Sequence, residues 1–115
     1  MTAPVVSHLR RLLETCPAAL RALDAVYLIE LRDSGACWTL DATADPPSLR
    51  PGRPEVHDCG IAAESDDLVR VLADPGLALQ LSFEGRLSLS GNTALAARFG
   101  AAIGLALAVP ERSRR

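Results

Sequence analysis

The triplet "HDC" at residues 57–59 brings together three side chains that could do chemistry. Imidazole, carboxylate and thiolate groups are all ligands of zinc, and a thiolate is also a nucleophile. On an extended strand His57 and Cys59 would share one face, while Asp58 would point to the other. Because two ligands on one face do not complete a zinc site, we predict no metal and no cofactor.

The three cysteines, Cys16, Cys37 and Cys59, are 21 and 22 residues apart and form no C-x-x-C pair. An odd number of cysteines argues against a disulfide framework. We therefore expect small buried thiols in a reducing compartment, with one reactive thiol as the alternative.

Motifs of known catalytic and nucleotide-binding sites do not occur in this sequence: G-x-G-x-x-G, G-x-x-x-x-G-K-[ST], G-x-S-x-G and H-E-x-x-H are all missing. Neither His8 nor His57 belongs to a known nucleophile pattern, and the carboxylates fall mostly in turns, caps and wet strand faces. We predict a protein that is not an enzyme. A hydrolase or isomerase acting on a sequestered hydrophobe stays open as an alternative.

Charge and composition argue against several kinds of partner. The net charge of −2 gives no general attraction to nucleic acid, and 3% aromatic residues offer little surface for stacking bases. With 49% hydrophobic residues, the interior must be built from Leu, Val and Ala. A chain of 115 residues fits one domain, and we expect it in the cytoplasm because no secretory signal is visible.

Apolar periodicity predicts the element order α-α-β-β-β-α-α-β-α, an α+β fold with a largely antiparallel sheet and helices on one face. Residues 1–19 should form an amphipathic helix, 20–108 the main domain and 109–115 a flexible basic tail. The runs "VYLIEL" and "CWTLDAT" predict a hairpin, and the four prolines of "ADPPSLRPGRPEV" predict a loop. Ser65 and Asn92 are expected to cap the two helices that follow them.

The stretch "NTALAARFGAAIGLALAVP" (92–110) is the least polar part of the chain and carries a G-x-x-x-G pattern. On a helix its bulky residues form one stripe, comprising Leu95, Phe99, Ala102, Ile103, Ala106 and Leu107. The opposite side is small, comprising Ala97, Gly100, Ala101, Gly104 and Ala108. A membrane span would need bulk all round. We therefore expect the bulky stripe to face the sheet and a cavity, and the glycine-weakened helix to open for ligand; self-pairing through the glycines is the alternative.

An ordered set of motifs in residues 54–99 resembles the sterol carrier protein type two family. The family pattern D-C-T-I appears as Asp58–Ile61, and S-x-x-D-L is approximated by Ser65–Leu68. G-K-L-K-[IV]-x-G appears as Gly85–Gly91, and N-x-x-L-A as Asn92–Ala96. The chain departs from the family at Ala73-Asp74, where Gly-Lys is usual, and lacks the terminal S-K-L of peroxisomal members. It looks more like a short bacterial cytosolic member.

The resemblance implies a twisted five-stranded sheet and helices that enclose a hydrophobic tunnel, with the last helix in its wall. It implies non-catalytic binding, and intracellular transfer or presentation, of a fatty acyl, phospholipid, sterol-like or isoprenoid ligand. We expect no nucleic-acid partner, transient contact with a membrane or enzyme, and a monomer or weak homodimer. The alternative is an interaction module, a homodimer or an enzyme helper subunit, with a filled core. The side chains expected to bind ligand are Trp38, Leu68, Leu72, Leu77, Leu81, Phe83, Leu87, Leu89, Leu95, Phe99 and Ile103.

Overall fold

The computed structural model describes residues 3–108, with side chains described for residues 4–104. In chain order the elements are α1 (Ala3–Thr15), α2 (Pro17–Arg21), β1 (Val26–Leu31), β2 (Cys37–Asp41), β3 (Ser48–Pro51), β4 (Cys59–Ala63), α3 (Ser65–Ala73), α4 (Leu77–Phe83), β5 (Leu87–Gly91) and α5 (Thr93–Ala108). The expected basic tail, residues 109–115, lies outside the described residues.

The five strands form one sheet in the order β3-β2-β1-β4-β5. Strands β1 and β4 are parallel, and every other neighbouring pair is antiparallel. The sheet is therefore mixed but mostly antiparallel, which confirms the α+β prediction. The expected hairpin of β1 and β2 is also confirmed, with Tyr27 opposite Leu40.

Strand β3 lies inside the proline-rich segment, where the element pattern predicted only a loop. That prediction was wrong, because residues 48–51 pair with β2 as a strand. Strand β3 has no second neighbour and so forms one edge of the sheet. A proline is tolerated on an edge strand when its nitrogen, which carries no hydrogen, points away from the neighbouring strand. Pro51, opposite Trp38, occupies such a position.

After β3 the chain crosses the sheet on the face opposite the helices, which we call the outer face. The Thr39 hydroxyl donates to the Gly52 carbonyl at 2.8 Å, and Arg53 pairs with Glu30 at 3.1 Å. These contacts hold the segment 52–58 over β2 and β1. The inner face, beneath the helices, carries buried apolar residues such as Tyr27, Ile29 and Ile61.

The first residue of helix α3 is hydrogen-bonded to a carboxylate that is distant in the sequence. Ser65 was expected to cap this helix, but it is the first helical residue, and Glu64 occupies the cap position without a side-chain cap hydrogen bond. Its N–H and its hydroxyl instead donate to Oδ1 of Asp33 at 3.0 and 2.9 Å. The Ser65 N–H is the main cause of a lowered pKa at Asp33. The expected cap of α5 is confirmed, since the Ala94 N–H donates to Oδ1 of Asn92 at 3.1 Å.

A second carboxylate ties α3 to the edge of the sheet. Asp67 is buried and accepts hydrogen bonds from Nε and Nη2 of Arg86 at 3.1 and 2.5 Å. Arg86 directly precedes β5, so this two-point contact fixes the helix relative to that strand.

Helix α5 is held to the middle of the sheet by Tyr27. The buried Tyr27 hydroxyl donates to the Leu95 carbonyl at 2.9 Å. Its ring packs on Phe99 with centroids 5.0 Å apart and planes tilted by 33°. Burial raises the pKa of Tyr27 to about 12.

Substituting Tyr27→Phe tests this anchor. The variant loses one buried hydrogen bond, so its free energy of unfolding at neutral pH should fall by about 1 kcal/mol. The wild-type phenol has a higher pKa folded than unfolded, so its stabilising contribution is complete below pH 10 and is lost as the pH rises toward 12.

The stability difference between wild type and Tyr27→Phe should therefore shrink across that range. Urea denaturation at neutral pH and at several alkaline pH values measures it. A difference that stays constant with pH would contradict the anchoring role of the buried phenol.

Candidate functional site: an apolar cavity beneath helix α5

Within the "HDC" triplet, Asp58 makes hydrogen bonds that connect other parts of the fold. The Asp58 carboxylate accepts the Val26 N–H at 2.8 Å, and the Asp58 carbonyl accepts the Asn92 N–H at 2.8 Å. Asp58 therefore joins the start of β1 to the start of α5. Among the described residues, no three His, Cys, Asp or Glu side chains come together as a metal site.

His57 and Cys59 do not share a face, so that expectation was wrong. Strand β4 begins only at Cys59, and His57 precedes it. Cys59 is buried on the inner face, where burial raises the pKa of its thiol. His57 lies toward Gly60, with Nε2 3.6 Å from where a Cβ on that glycine would be.

The turn from β5 into α5 depends on Gly91. This residue has φ of +72°, and a Cβ there would lie 2.5 Å from the Asp58 carbonyl oxygen. Both the backbone conformation and the close approach require glycine. The beginning of the last helix is thereby fixed against β4.

Between the sheet and helices α3, α4 and α5 lies a cavity of about 430 Å³. This volume is within the usual range for small-molecule sites. Its floor is the inner face of β1, β4 and β5, and its walls come from the helices. The floor and the α1 and α3 walls comprise Leu9, Ile29, Ile61, Leu68, Val71, Leu72, Leu87 and Leu89.

The α5 wall is built mostly from small residues. Thr93, Ala96, Ala97 and Gly100 recur at intervals of three and four, so they lie along one strip of the helix. Phe99 and Ile103 flank this strip, and both also pack in the core. The space exists because the strip presents methyl groups and a glycine where larger side chains would fill it.

The predicted orientation of α5 is therefore only partly right. Its bulky residues Leu95, Phe99, Ala102 and Ile103 are buried, as expected. The cavity, however, also takes in Ala97 and Gly100 from the side expected to be small and peripheral. The side chains of Ala106 and Leu107 lie outside the described ones, and the opening of α5 stays a prediction.

The cavity offers a hydrocarbon surface with almost no polar chemistry. Among the side chains that the structure describes, all those lining the cavity are uncharged, and the only polar ones are the hydroxyls of Ser82 and Thr93. An ionised group placed inside would lose its hydration without gaining a partner, which is strongly unfavourable. The described lining offers an apolar surface that can enclose a hydrocarbon chain.

The cavity opens to solvent beside α4. Leu79 and Leu89 line it and are 68% and 37% exposed. The exposed residues Thr93 and Ala97 also belong to its lining. We call this region, defined by Leu79, Leu89, Thr93 and Ala97, the mouth.

Six of the side chains expected to bind ligand line the cavity: Leu68, Leu72, Leu87, Leu89, Phe99 and Ile103. The structure does not bring the other five to its surface. Leu81 and Leu95 are buried in the core, and Trp38 and Leu77 are half-buried against it. Phe83 is 84% exposed on the surface of α4.

Sequence reasoning missed the residues that leave room rather than fill it. They are the small α5 residues Thr93, Ala96, Ala97 and Gly100 and the α4 segment with Pro75, Gly76, Ala78, Leu79 and Ser82. It also omitted Leu9, Ile29, Ile61 and Val71. The available signal was the spacing of small residues on α5, which accompanies the bulky stripe. The Cβ of Pro75 lies 3.8 Å from where one on Gly100 would be, so the turn before α4 closes this side.

No helix within residues 3–108 combines the length and the apolar character that crossing a bilayer requires. No curated protein sequence is significantly similar to the chain.

Comparison with solved structures shows the same fold in several proteins. A UbiJ-SCP2 ubiquinone synthesis protein is 17% identical with a TM-score of 0.75, over 89% of this chain and 94% of that one. The sterol carrier protein domain 2 of Helicoverpa armigera is 17% identical with a TM-score of 0.77, over 94% and 91%. Palmitated SCP2L2 from Aedes aegypti is 20% identical with a TM-score of 0.55, over 80% and 90%.

The sequence profile of one family covers nearly the whole described chain. Residues 6–104 match the SCP-2 sterol transfer family. The matched region includes all five strands and all the lining residues of the cavity. The chain therefore belongs to the SCP-2 sterol transfer family.

Proposed function

We propose that this chain binds the hydrocarbon part of a lipid in the cavity beneath α5 and transfers or presents it, without catalysing a reaction. The observation that carries the proposal is a cavity of about 430 Å³ whose described lining side chains are all uncharged. Membership of a sterol transfer family supports lipid transport as the purpose of this space.

The size of the cavity suits the greater part of a long alkyl chain. If a methylene group occupies about as much volume as a water molecule, roughly 30 Å³, the cavity holds about fourteen of them. Burial stabilises each by about 0.8 kcal/mol, so the gross gain is on the order of 10 kcal/mol before ordering costs. Apolar contact alone is then sufficient for useful affinity.

The lining also favours a neutral head group. Ser82 and Thr93 can each offer a hydroxyl to an alcohol, carbonyl or ester oxygen. Within the described part of the chain, the lining supplies no cation to pair with a carboxylate or phosphate drawn inside. We infer that the ionised head group of an amphiphile must stay in water at the mouth, because entering the cavity would remove its hydration. Less of its alkyl chain can then be buried.

A second candidate function is presentation of the bound lipid to an enzyme. One observation favours it: a protein with the same fold is described as a ubiquinone synthesis protein. Such an accessory role uses the same cavity but adds a protein partner. It differs from the interaction module with a filled core, which would carry no ligand.

Freshly purified protein provides the direct test of ligand binding. Native mass spectrometry should show the chain mass plus that of a co-purified lipid, which organic extraction removes. The extracted protein should then take up a long-chain alcohol at a ratio of one to one. Bare protein that binds no alkyl chain after extraction would contradict the proposal.

A matched pair of substitutions on α5 tests the position of the ligand. Ala96→Leu adds bulk inside the cavity, whereas Ala101→Leu adds the same bulk on an exposed position outside it. Ala96→Leu should weaken binding of a sixteen-carbon alcohol at least tenfold, corresponding to about 1.4 kcal/mol. It should also stabilise the empty protein, because the new side chain fills apolar space.

Isothermal titration and urea denaturation of both variants give these two quantities. Equal affinities of Ala96→Leu and Ala101→Leu for the alcohol would place the ligand elsewhere.

Head-group preference is tested with two ligands of equal chain length. Hexadecanol should bind at least tenfold more tightly than palmitate above neutral pH, because only palmitate carries a charge that the lining cannot pair. The difference should narrow as the pH falls and the carboxylate becomes protonated. Competition against a fluorescent alkyl probe measures both affinities, with Ala101→Leu as the control protein. A difference that does not change with pH would contradict the inference about the head group.

A further inference from the structure

Few of the large apolar side chains that the structure describes are exposed, and most of these lie at or near the mouth. Among the described side chains, the exposed large hydrophobic residues are Val56, Leu79, Phe83 and Leu89. Leu79 and Leu89 line the cavity, and Phe83 follows Leu79 by four residues on α4. Residues four apart lie on the same side of a helix, so Phe83 extends the surface that Leu79 begins. We call Leu79, Phe83 and Leu89 the mouth patch.

The exposure of the mouth patch is large enough to need an explanation. Phe83 is 84% exposed, although phenylalanine is usually among the most buried residues. A contiguous patch of apolar side chains exposed to solvent commonly marks an interaction site. Because the patch is continuous with the cavity lining, whatever covers it also meets the ligand on its way in or out.

From this continuity we propose that the mouth patch inserts into the interface of an electrically neutral lipid bilayer, so that an alkyl chain passes between bilayer and cavity without crossing water. The proposal rests on the proposed function, because it assigns the source of the cavity's ligand. It adds a docking surface and a partner, a bilayer of zwitterionic lipid.

The size of the patch favours a bilayer over a second copy of the chain. A stable protein interface buries roughly 800 Å² on each partner, from 20 to 30 residues. Three side chains, one of them only 37% exposed, provide a small part of that area. Shallow insertion of a few apolar side chains is, in contrast, sufficient for reversible binding at a membrane interface.

The surrounding charges favour a neutral rather than an anionic bilayer. The cation near the end of α4, Arg86, lies 3.4 Å from the Glu84 carboxylate and is bound to buried Asp67. Gln80, between Leu79 and Phe83, donates to Glu84 at 3.1 Å. Among the described residues, the charges of Arg86 and Glu84 next to Phe83 are therefore paired with each other and give no net attraction to anionic lipid. Binding should therefore be insensitive to salt.

Phe83→Ser tests the docking surface separately from the cavity. Phe83 does not line the cavity, so equilibrium binding of hexadecanol should be unchanged. Flotation of the protein with phosphatidylcholine vesicles should fall at least fivefold, and so should the rate of hexadecanol transfer from those vesicles. The control is Val56→Ser, which removes a 76% exposed apolar side chain from the segment crossing the outer face. That variant should behave like the wild type in all three measurements.

A gain-of-signal variant provides a second test that does not depend on loss of binding. Phe83→Trp in a Trp38→Phe background carries its single tryptophan at the patch. Its emission should shift to shorter wavelength on phosphatidylcholine vesicles and be quenched by brominated chains. Val56→Trp in the same background should show neither effect.

The two proposals fail in different ways. Wild-type and Phe83→Ser proteins that bind hexadecanol equally but also float and transfer equally would overturn the docking surface alone. A wild-type dimer that Phe83→Ser converts to monomer would also overturn it, since the patch would then be covered by a second copy. Failure of the wild type to bind any alkyl chain would overturn the proposed function and, with it, the delivery of ligand from the bilayer.

Discussion

The position of helix α5 relative to the sheet decides whether this protein has an interior space. Two contacts set that position: the Tyr27 hydroxyl holds the Leu95 carbonyl over β1, and Asp58 holds the Asn92 N–H beside β4. Both act on the first turn of the helix or just before it. Beyond this turn the helix presents alanine and glycine toward α3 and α4, so the elements are held apart without being packed together. The cavity results from a fixed helix and a wall of small side chains.

Carboxylates that might have done chemistry are used instead to organise the elements around this space. The Asp33 carboxylate binds the start of α3, that of Asp67 binds Arg86 before β5, and that of Asp58 accepts the N–H of Val26. None of these three lines the cavity. Because the charges are engaged at the ends of helices and strands, the interior between them stays free of groups that would attract water. The apolar character of the site follows from where the polar groups are used.

The sequence predicted the elements better than the empty space between them. The β-branched and aromatic content of Val26–Leu31 and the alternation in Cys37–Asp41 correctly indicated a hairpin, and Asn92 correctly marked the start of α5. Strand β3 was missed because the prolines in and around it indicate a loop, whereas pairing with β2 decides the conformation there. The Ser65 cap was wrong because a carboxylate 32 residues away competes for the same groups.

The cavity was harder to predict because periodicity identifies side chains that pack. It identified Phe99 and Ile103, which serve both the core and the lining. It could not show that Ala96 and Gly100 would face empty space, since small residues on a helix are equally typical of close packing. Only the position of α4, set by the turn at Pro75 and Gly76, distinguishes the two outcomes.

The parallel pairing of β1 and β4 also bears on how the chain assembles. In the chain, β2, β3 and the crossing segment lie between these two strands. The hydrogen bond at the start of the pair links Val26 to Asp58, which are 32 residues apart. Closing such a loop costs entropy before the pair contributes any stability. The β1–β2 hairpin can form early from neighbouring residues, whereas β4, β5 and α5 must wait for this long-range step. The half of the sheet that carries the cavity should thus be the last to acquire structure, and a bound alkyl chain would act on the rate of unfolding more than on the rate of folding.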